Sequence, residues 1–138
     1  MAESIHESDL KRKERTGLSS LEVGDAEAAA VQKTQNRVTL ADIENAIRTV
    51  EYINSSLTPH LTIAVVHLYN GWAEVGKSAP ADPENFDEVL GKKFAKEDAM
   101  RHLWTLFGFH LRETLYRRGD EPQASPQQRH SMQDPDDQ

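Results

Sequence analysis

The most suggestive chemical spelling in the sequence is Gly71-Trp72-Ala73-Glu74-Val75-Gly76-Lys77-Ser78. It follows the Gly-x-x-x-x-Gly-Lys-Ser/Thr order of a phosphate-binding loop, where backbone N–H groups cradle phosphates and the lysine reaches their oxygens. That cradle requires an open loop between a strand and a helix. Residues 72–75 read as a strand and no βαβ unit surrounds them, so the spelling is a coincidence of hairpin sequence. Metal ligation fares no better. The histidines are His6, His60, His67, His102, His110 and His130, and none stands in a His-Glu-x-x-His or Cys/His pattern. His102 and His110 would lie on adjacent flanks of a helix, with no carboxylate spaced to complete a site. The chain has no cysteine, which excludes disulfides, thiolate metal sites and a cysteine nucleophile, and fits a reducing compartment. Ser78 lacks the strained elbow of a serine nucleophile. The acid pairs Asp87/Glu88 and Glu97/Asp98 read as solvated helix faces rather than general acid–base pairs. The expectation is a protein that is not an enzyme and carries no metal or cofactor.

Basic groups give a similar answer. Lys92, Lys93, Lys96 and Arg101, with Arg112, Arg117 and Arg118 beyond, are interleaved with acids and form no continuous phosphate track. The whole chain carries 23 acids against 16 bases, a formal charge of −7, which disfavours a broad nucleic-acid footprint. The run Lys11-Arg12-Lys13-Glu14-Arg15 is broken by an acid and reads as a solvated arm.

Three groupings carry binding rather than catalysis. Tyr69 and Trp72 flank Asn70-Gly71 and offer aromatic surface. Lys93 and Glu97 sit four apart on the apolar line of a helix, either lining a pocket or forming an ion pair that reaches past the core edge. Gly91, Ala95 and Ala99 form a small-residue ridge at steps of four, on the flank away from that line. Such a ridge lets another helix approach closely. Alanine is also simply a good helix former, but a mid-helix glycine costs about 1 kcal/mol against alanine, which favours a packing reason for Gly91.

These residues need elements to hold them, and composition limits what those are. The 138 residues allow one domain, and at 37% hydrophobic part of the chain is expected to stay unpacked. No apolar run approaches the ~18 residues of a membrane span. The N-terminus has no apolar stretch after its charges, so no secretory signal is expected. Residues 1–36 are rich in charge, Ser and Ala and predict a disordered arm, with at most a passing helix around Ala26–Val31. Residues 119–138 hold five acids and one base among Pro, Gln and Ser, and predict a disordered acidic tail. The folded domain is expected over 37–118.

Within it, Thr39 followed by Asp42 resembles a helix N-cap, and Ile43, Ala46, Ile47 and Val50 recur on one helical face. That helix should fade near Asn54-Ser55-Ser56, ahead of Pro59. Residues 61–69 and 72–78 then flank Asn70-Gly71, a strong hairpin signal. With those two as the turn, Tyr69 faces Trp72, His67 faces Glu74, Val66 faces Val75 and Val65 faces Gly76. One sheet face then carries Ala64, Val66, Leu68, Ala73 and Val75, and the other Ile63, Val65, Tyr69 and Trp72. Both are apolar. A two-stranded hairpin alone is marginal in water, so something must cover both faces or another chain must complete the sheet. Asp82-Pro83 opens the last element, predicted helical to about Phe107 and onward to Arg117, with Gly108 as a C-cap or kink. Its apolar line gathers Phe86, Val89, Leu90, Met100, Trp104, Phe107, Leu111 and Leu115. The predicted fold class is α+β: a helix, a two-stranded antiparallel β-hairpin and a long C-terminal helix.

Asn70-Gly71, Val75-Gly76-Lys77-Ser78-Ala79, Asp82-Pro83-Glu84-Asn85-Phe86-Asp87, Gly91-Lys92-Lys93, and Leu103-Trp104 through Leu111-Arg112-Glu113 together resemble a small protein family of tailed phages and prophages. It is named after phage gene products forty-nine and sixty-six. The resemblance covers roughly residues 37–116 and leaves both ends outside. Thr105 stands where relatives often have proline, which favours a longer continuous helix. Phe107 replaces a commonly polar residue and adds apolar surface. The resemblance implies a phage origin and a location in the bacterial host cytoplasm. It implies no activity and brings no catalytic residues.

The leading expectation is therefore a non-enzymatic phage accessory protein that self-associates, as a homo-oligomer, and modulates a host or phage protein. A core of about 80 residues buries little surface for its size, which fits a small oligomer. One alternative is an oligomeric sink for a host nucleotide signal, with Tyr69, Trp72, Lys93 and Glu97 supplying stacking and charge. Another is a weak nucleic-acid binder working through the Lys92–Arg101 face.

Overall fold

A computed structural model describes residues 19–119. The predicted acidic tail and the basic run at 11–15 lie outside those residues. Among the described residues, three helices and one three-stranded antiparallel sheet follow in the order α1 (Ser20–Ala30), α2 (Leu40–Ala46), β1 (Ile47–Asn54), β2 (Thr62–Leu68), β3 (Ala73–Ser78), a 3-10 turn (Pro83–Asn85) and α3 (Glu88–Arg117). Strand order is β1-β2-β3.

Within the arm expected over 1–36, α1 is a helix longer than the passing one allowed around Ala26–Val31, and residues 1–18 lie outside the described part. Ser19 and Glu22 form a reciprocal capping box: Glu22 N–H donates to Ser19 Oγ at 3.3 Å and Ser19 N–H to Glu22 Oε2 at 3.1 Å. That spacing is a readable start signal. Its apolar content is low, but Leu21 packs against the core. Asp25 ties the helix down, accepting from Arg37 Nη1 at 2.8 Å and from Leu40 N–H at 3.1 Å. Partial burial pushes the Asp25 carboxyl up, but those two donors outweigh it and its pKa lies below the ordinary value of 3.8.

α2 starts where expected, with a second capping box between Thr39 and Asp42. It ends eight residues early, because Ile47–Asn54 is a strand. The repeat Ile43, Ala46, Ile47, Val50 is real as spacing. Local composition overrides it: Thr49, Val50, Tyr52 and Ile53 are β-branched or aromatic and fit a pleated surface. The sheet therefore has three strands rather than two. An extra residue, Arg48, bulges from β1 between the Ile47–Leu68 and Thr49–His67 pairs.

The hairpin lies where predicted, but its register is shifted by one. Val65 pairs with Val75, Ala64 with Gly76 and Val66 with Glu74. The loop has three residues, Tyr69-Asn70-Gly71. Gly71 N–H donates to Leu68 O at 3.0 Å, Leu68 N–H to Trp72 O at 2.8 Å, and Gly71 takes φ of 93°. A left-handed residue closing a three-residue turn is the next most common hairpin solution after two-residue loops. A one-residue slip turns every β3 side chain to the opposite face. Val75 is thereby moved to the outer face and Gly76 to the inner one.

α3 runs unbroken for 30 residues through Gly108, without the break considered there. It does not start at Asp82-Pro83. Asp82 caps only the 3-10 turn, and Asp87 caps α3 by accepting from Leu90 N–H at 2.9 Å. The helix lies across β3 and β2. Its core side is Gly91, Ala95, Ala99, Met100 and Leu103, all buried. Ile43, Val66, Leu68 and Leu40 close the core from α2 and β2.

Candidate functional site

The small-residue ridge is taken up by the sheet within this chain, not by a second helix. A Cβ at Gly76 would collide with Ala95 O and Ala99 N of the α3 backbone, and one at Gly91 would lie 2.8 Å from Thr62 Oγ1. The helix sits so close to β3 that only Gly76 fits beneath Ala95 and Ala99. This close approach also explains where the apolar line fails. Met100 is buried, Trp104 and Phe107 pack against the core, yet Val89 is 77% exposed. The N-terminal half of α3 turns its small residues inward and leaves Val89, Leu90 and Phe94 exposed.

The tight seat of α3 places two of its side chains over the free edge of β3. Lys77 N–H donates to Asp98 Oδ2 at 2.9 Å, and His102 Nδ1 bonds Val75 O at 3.1 Å. With a carbonyl as partner, Nδ1 is the protonated nitrogen of that imidazole. Asp98 and His102, four apart, stand in for a neighbouring strand. Glu74 lies 3.7 Å from the His102 ring and adds a second carboxylate. An exposed strand edge invites pairing with other chains, and this one is blunted by side chains. The opposite edge, β1, has no such cap among the described residues. There the Arg48 bulge interrupts regular pairing instead.

The four residues expected to meet a ligand or partner are not brought together. Tyr69 and Trp72 are 71% and 51% exposed at the hairpin tip. Trp72 Nε1–H donates to Glu74 Oε1 at 3.2 Å. Lys93 is exposed and Glu97 half-buried on α3, near the end of the sheet where Gly91 meets Thr62. The hairpin tip belongs to the other end, next to Leu68, which shares the core cluster with Leu103. No ion pair joins Lys93 to Glu97 among the described residues. The surface concavities lined by Ala29–Gln35 and by Phe109–Arg117 contain none of the four. On the basic face, Lys92 pairs with Glu88 at 3.1 Å and lies 5.7 Å over the Tyr52 ring, while Arg101 donates to Ser20 Oγ. Burial raises the Tyr52 pKa and the Lys92 charge partly offsets it. Among the described residues no cluster of three His, Asp or Glu could hold a metal ion.

One family sequence model matches residues 38–115, that of the phage protein (N4 Gp49/phage Sf6 gene 66) family. The chain belongs to this phage protein family. The matched segment runs from just before α2 to the last turns of α3, so α1 lies outside it. Neither the curated proteins nor the solved structures contain a match. Among the described residues no helix is long and apolar enough to cross a membrane.

What the family segment presents most plainly is the outer face of its sheet. Pairing sets three rows there: Thr49–His67–Ala73, Glu51–Val65–Val75 and Ile53–Ile63–Lys77. Ile53 and Val75 are 48% and 49% exposed, and no described helix lies over them. His67 Nε2 sits 2.9 Å from Glu51 Oε1 at one side of this surface. The sequence disclosed that both hairpin faces are apolar. The shifted register concealed which residues compose the open one.

Proposed function

We propose that this phage protein is a non-enzymatic accessory protein that self-associates and acts by holding a host or phage protein in the host cytoplasm. The supporting observation is the outer sheet face, where Ile53, Ile63, Val65 and Val75 stand together with no covering element among the described residues. Burying such side chains in a contact yields roughly 25 cal/mol per Å² of apolar area, so an uncovered cluster is a docking resource. The exposed Tyr69 and Trp72 at the hairpin tip add an aromatic contact outside that face, suited to a second protein.

Native mass spectrometry of the full chain purified from bacterial cells tests this reading. An oligomer, with a partner recovered by pull-down that is lost on Trp72→Ala, is the expected result. A monomer at every concentration overturns self-association. An oligomer carrying added nucleotide-sized mass replaces the protein-holding reading with a ligand sink.

A further inference from the structure

We infer that the outer sheet face docks on the same face of a second copy, by a half-turn about an axis parallel to β2. This rests on the self-association reading and names the surface and geometry that would carry it. Three observations support it. Among the described residues this is the apolar face of the sheet that nothing covers, and Val65 and Ile63 run down its central strand. In a chain of net charge −7, the nine positions of this face carry one acid, Glu51, and one lysine, Lys77, besides His67. It is thus close to neutral where the protein is not, as self-docking requires.

The third observation is where those charges lie. Glu51 is on β1 and Lys77 on β3, one row apart. The half-turn along β2 sets β1 of one copy over β3 of the other. Val65 then faces its own symmetry mate, and Ile63 does the same. Glu51 lies over Val75 of the second copy and within side-chain reach of its Lys77. The alternative half-turn, across the strands, stacks Glu51 directly on Glu51 and buries like charges. Charge complementarity therefore selects one of the two arrangements, which then relaxes to the ~30° of aligned sheet packing with about 10 Å between sheets.

Area supports the same occupant. Three strands ~4.8 Å apart, with same-face residues ~6.8 Å apart, give a projected face of about 300 Å². Allowing for side-chain relief, docking two copies removes on the order of 1,000 Å² of accessible surface, the threshold of a specific interface. Pairing through the β1 edge covers far less and meets the Arg48 bulge.

The absence of cysteine makes the test direct. Full-chain Val65→Cys, treated with a bis-maleimide about 8 Å long, should give a covalent dimer and no ladder, matched to the ~10 Å sheet spacing. Lys93→Cys, on α3, should not cross-link. Light scattering should read wild type as a dimer at tens of micromolar and Val65→Arg as a monomer with an unchanged circular dichroism spectrum. Should Val65→Arg fail to fold, charge reversal serves instead. Glu51→Lys should weaken association about tenfold, and adding Lys77→Glu should restore it. An oligomer unaffected at Val65, Glu51 and Lys77 overturns this face while self-association stands. A wild-type monomer overturns both. A Val65→Cys thiol that resists maleimide in the monomer overturns the proposal by placing a terminal segment of the same chain on the face.

Discussion

Along β3 the two faces of the sheet invert the usual relation between side-chain size and burial. The covered face holds Val50 and Tyr52 on β1 and Thr62, Ala64, Val66 and Leu68 on β2, but only Glu74, Gly76 and Ser78 on β3. The open face holds Val75 on β3, beside Ile53, Ile63 and Val65. On this strand burial follows how closely a helix can approach, not how apolar the side chain is. Gly76 lets the α3 backbone sit on β3, and that contact defines the inside of the molecule. Larger side chains on the same strand would hold the helix away.

This contrast can be broken most sharply at Gly76. Gly76→Val should force α3 off β3 and cost about 3 kcal/mol or more, the upper end for overpacking, read as a fall in the urea midpoint. Next comes Leu103→Ala, which empties a fully buried position and should cost about 2–5 kcal/mol. Ile53→Thr on the open face should cost less than about 1 kcal/mol in the monomer, since the side chain is already half in water. A large loss there would mean the open face is covered within the chain. Asp98→Ala sharpens the comparison between the sheet's edges. It removes the acceptor of Lys77 N–H, should cost about 1 kcal/mol, and should speed hydrogen exchange at Lys77 while leaving Val65 protected.

The smallest effect is expected at α1, away from both faces. The Asp25 pKa is depressed in the folded state, so its stabilisation is present above the ordinary value of 3.8 and is lost as pH falls through the lower folded value. Asp25→Asn should flatten that part of the stability profile below about pH 4 and weaken the hold on Arg37 and Leu40. An unchanged acid limb would show that α1 docks by other contacts.

Much of this was legible in the residues. Thr39 and Asp42 marked the start of α2, Asn70-Gly71 marked the hairpin, and the family segment was readable from its own short motifs. The small ridge on α3 was legible as a close contact, but not its partner, because a helix ridge fits a glycine-floored strand as well as another helix. The strand β1 was missed because its first residues continue a helical repeat. Ser19 and Glu22 did signal α1, against a composition that argued for an arm.

The sequence by itself determined the local events: caps, turn position, a long helix and the apolar character of both hairpin faces. Each depends on neighbours within a few positions and so survives in the order of residues. Only the tertiary structure decided which face became the interior, which edge of the sheet was capped and where Gly91, Ala95 and Ala99 found their contact. Those outcomes turned on a one-residue register set by Gly71 and on the approach of α3 to Gly76. Chain order does not encode such distances between remote residues, because they exist only once the pieces pack.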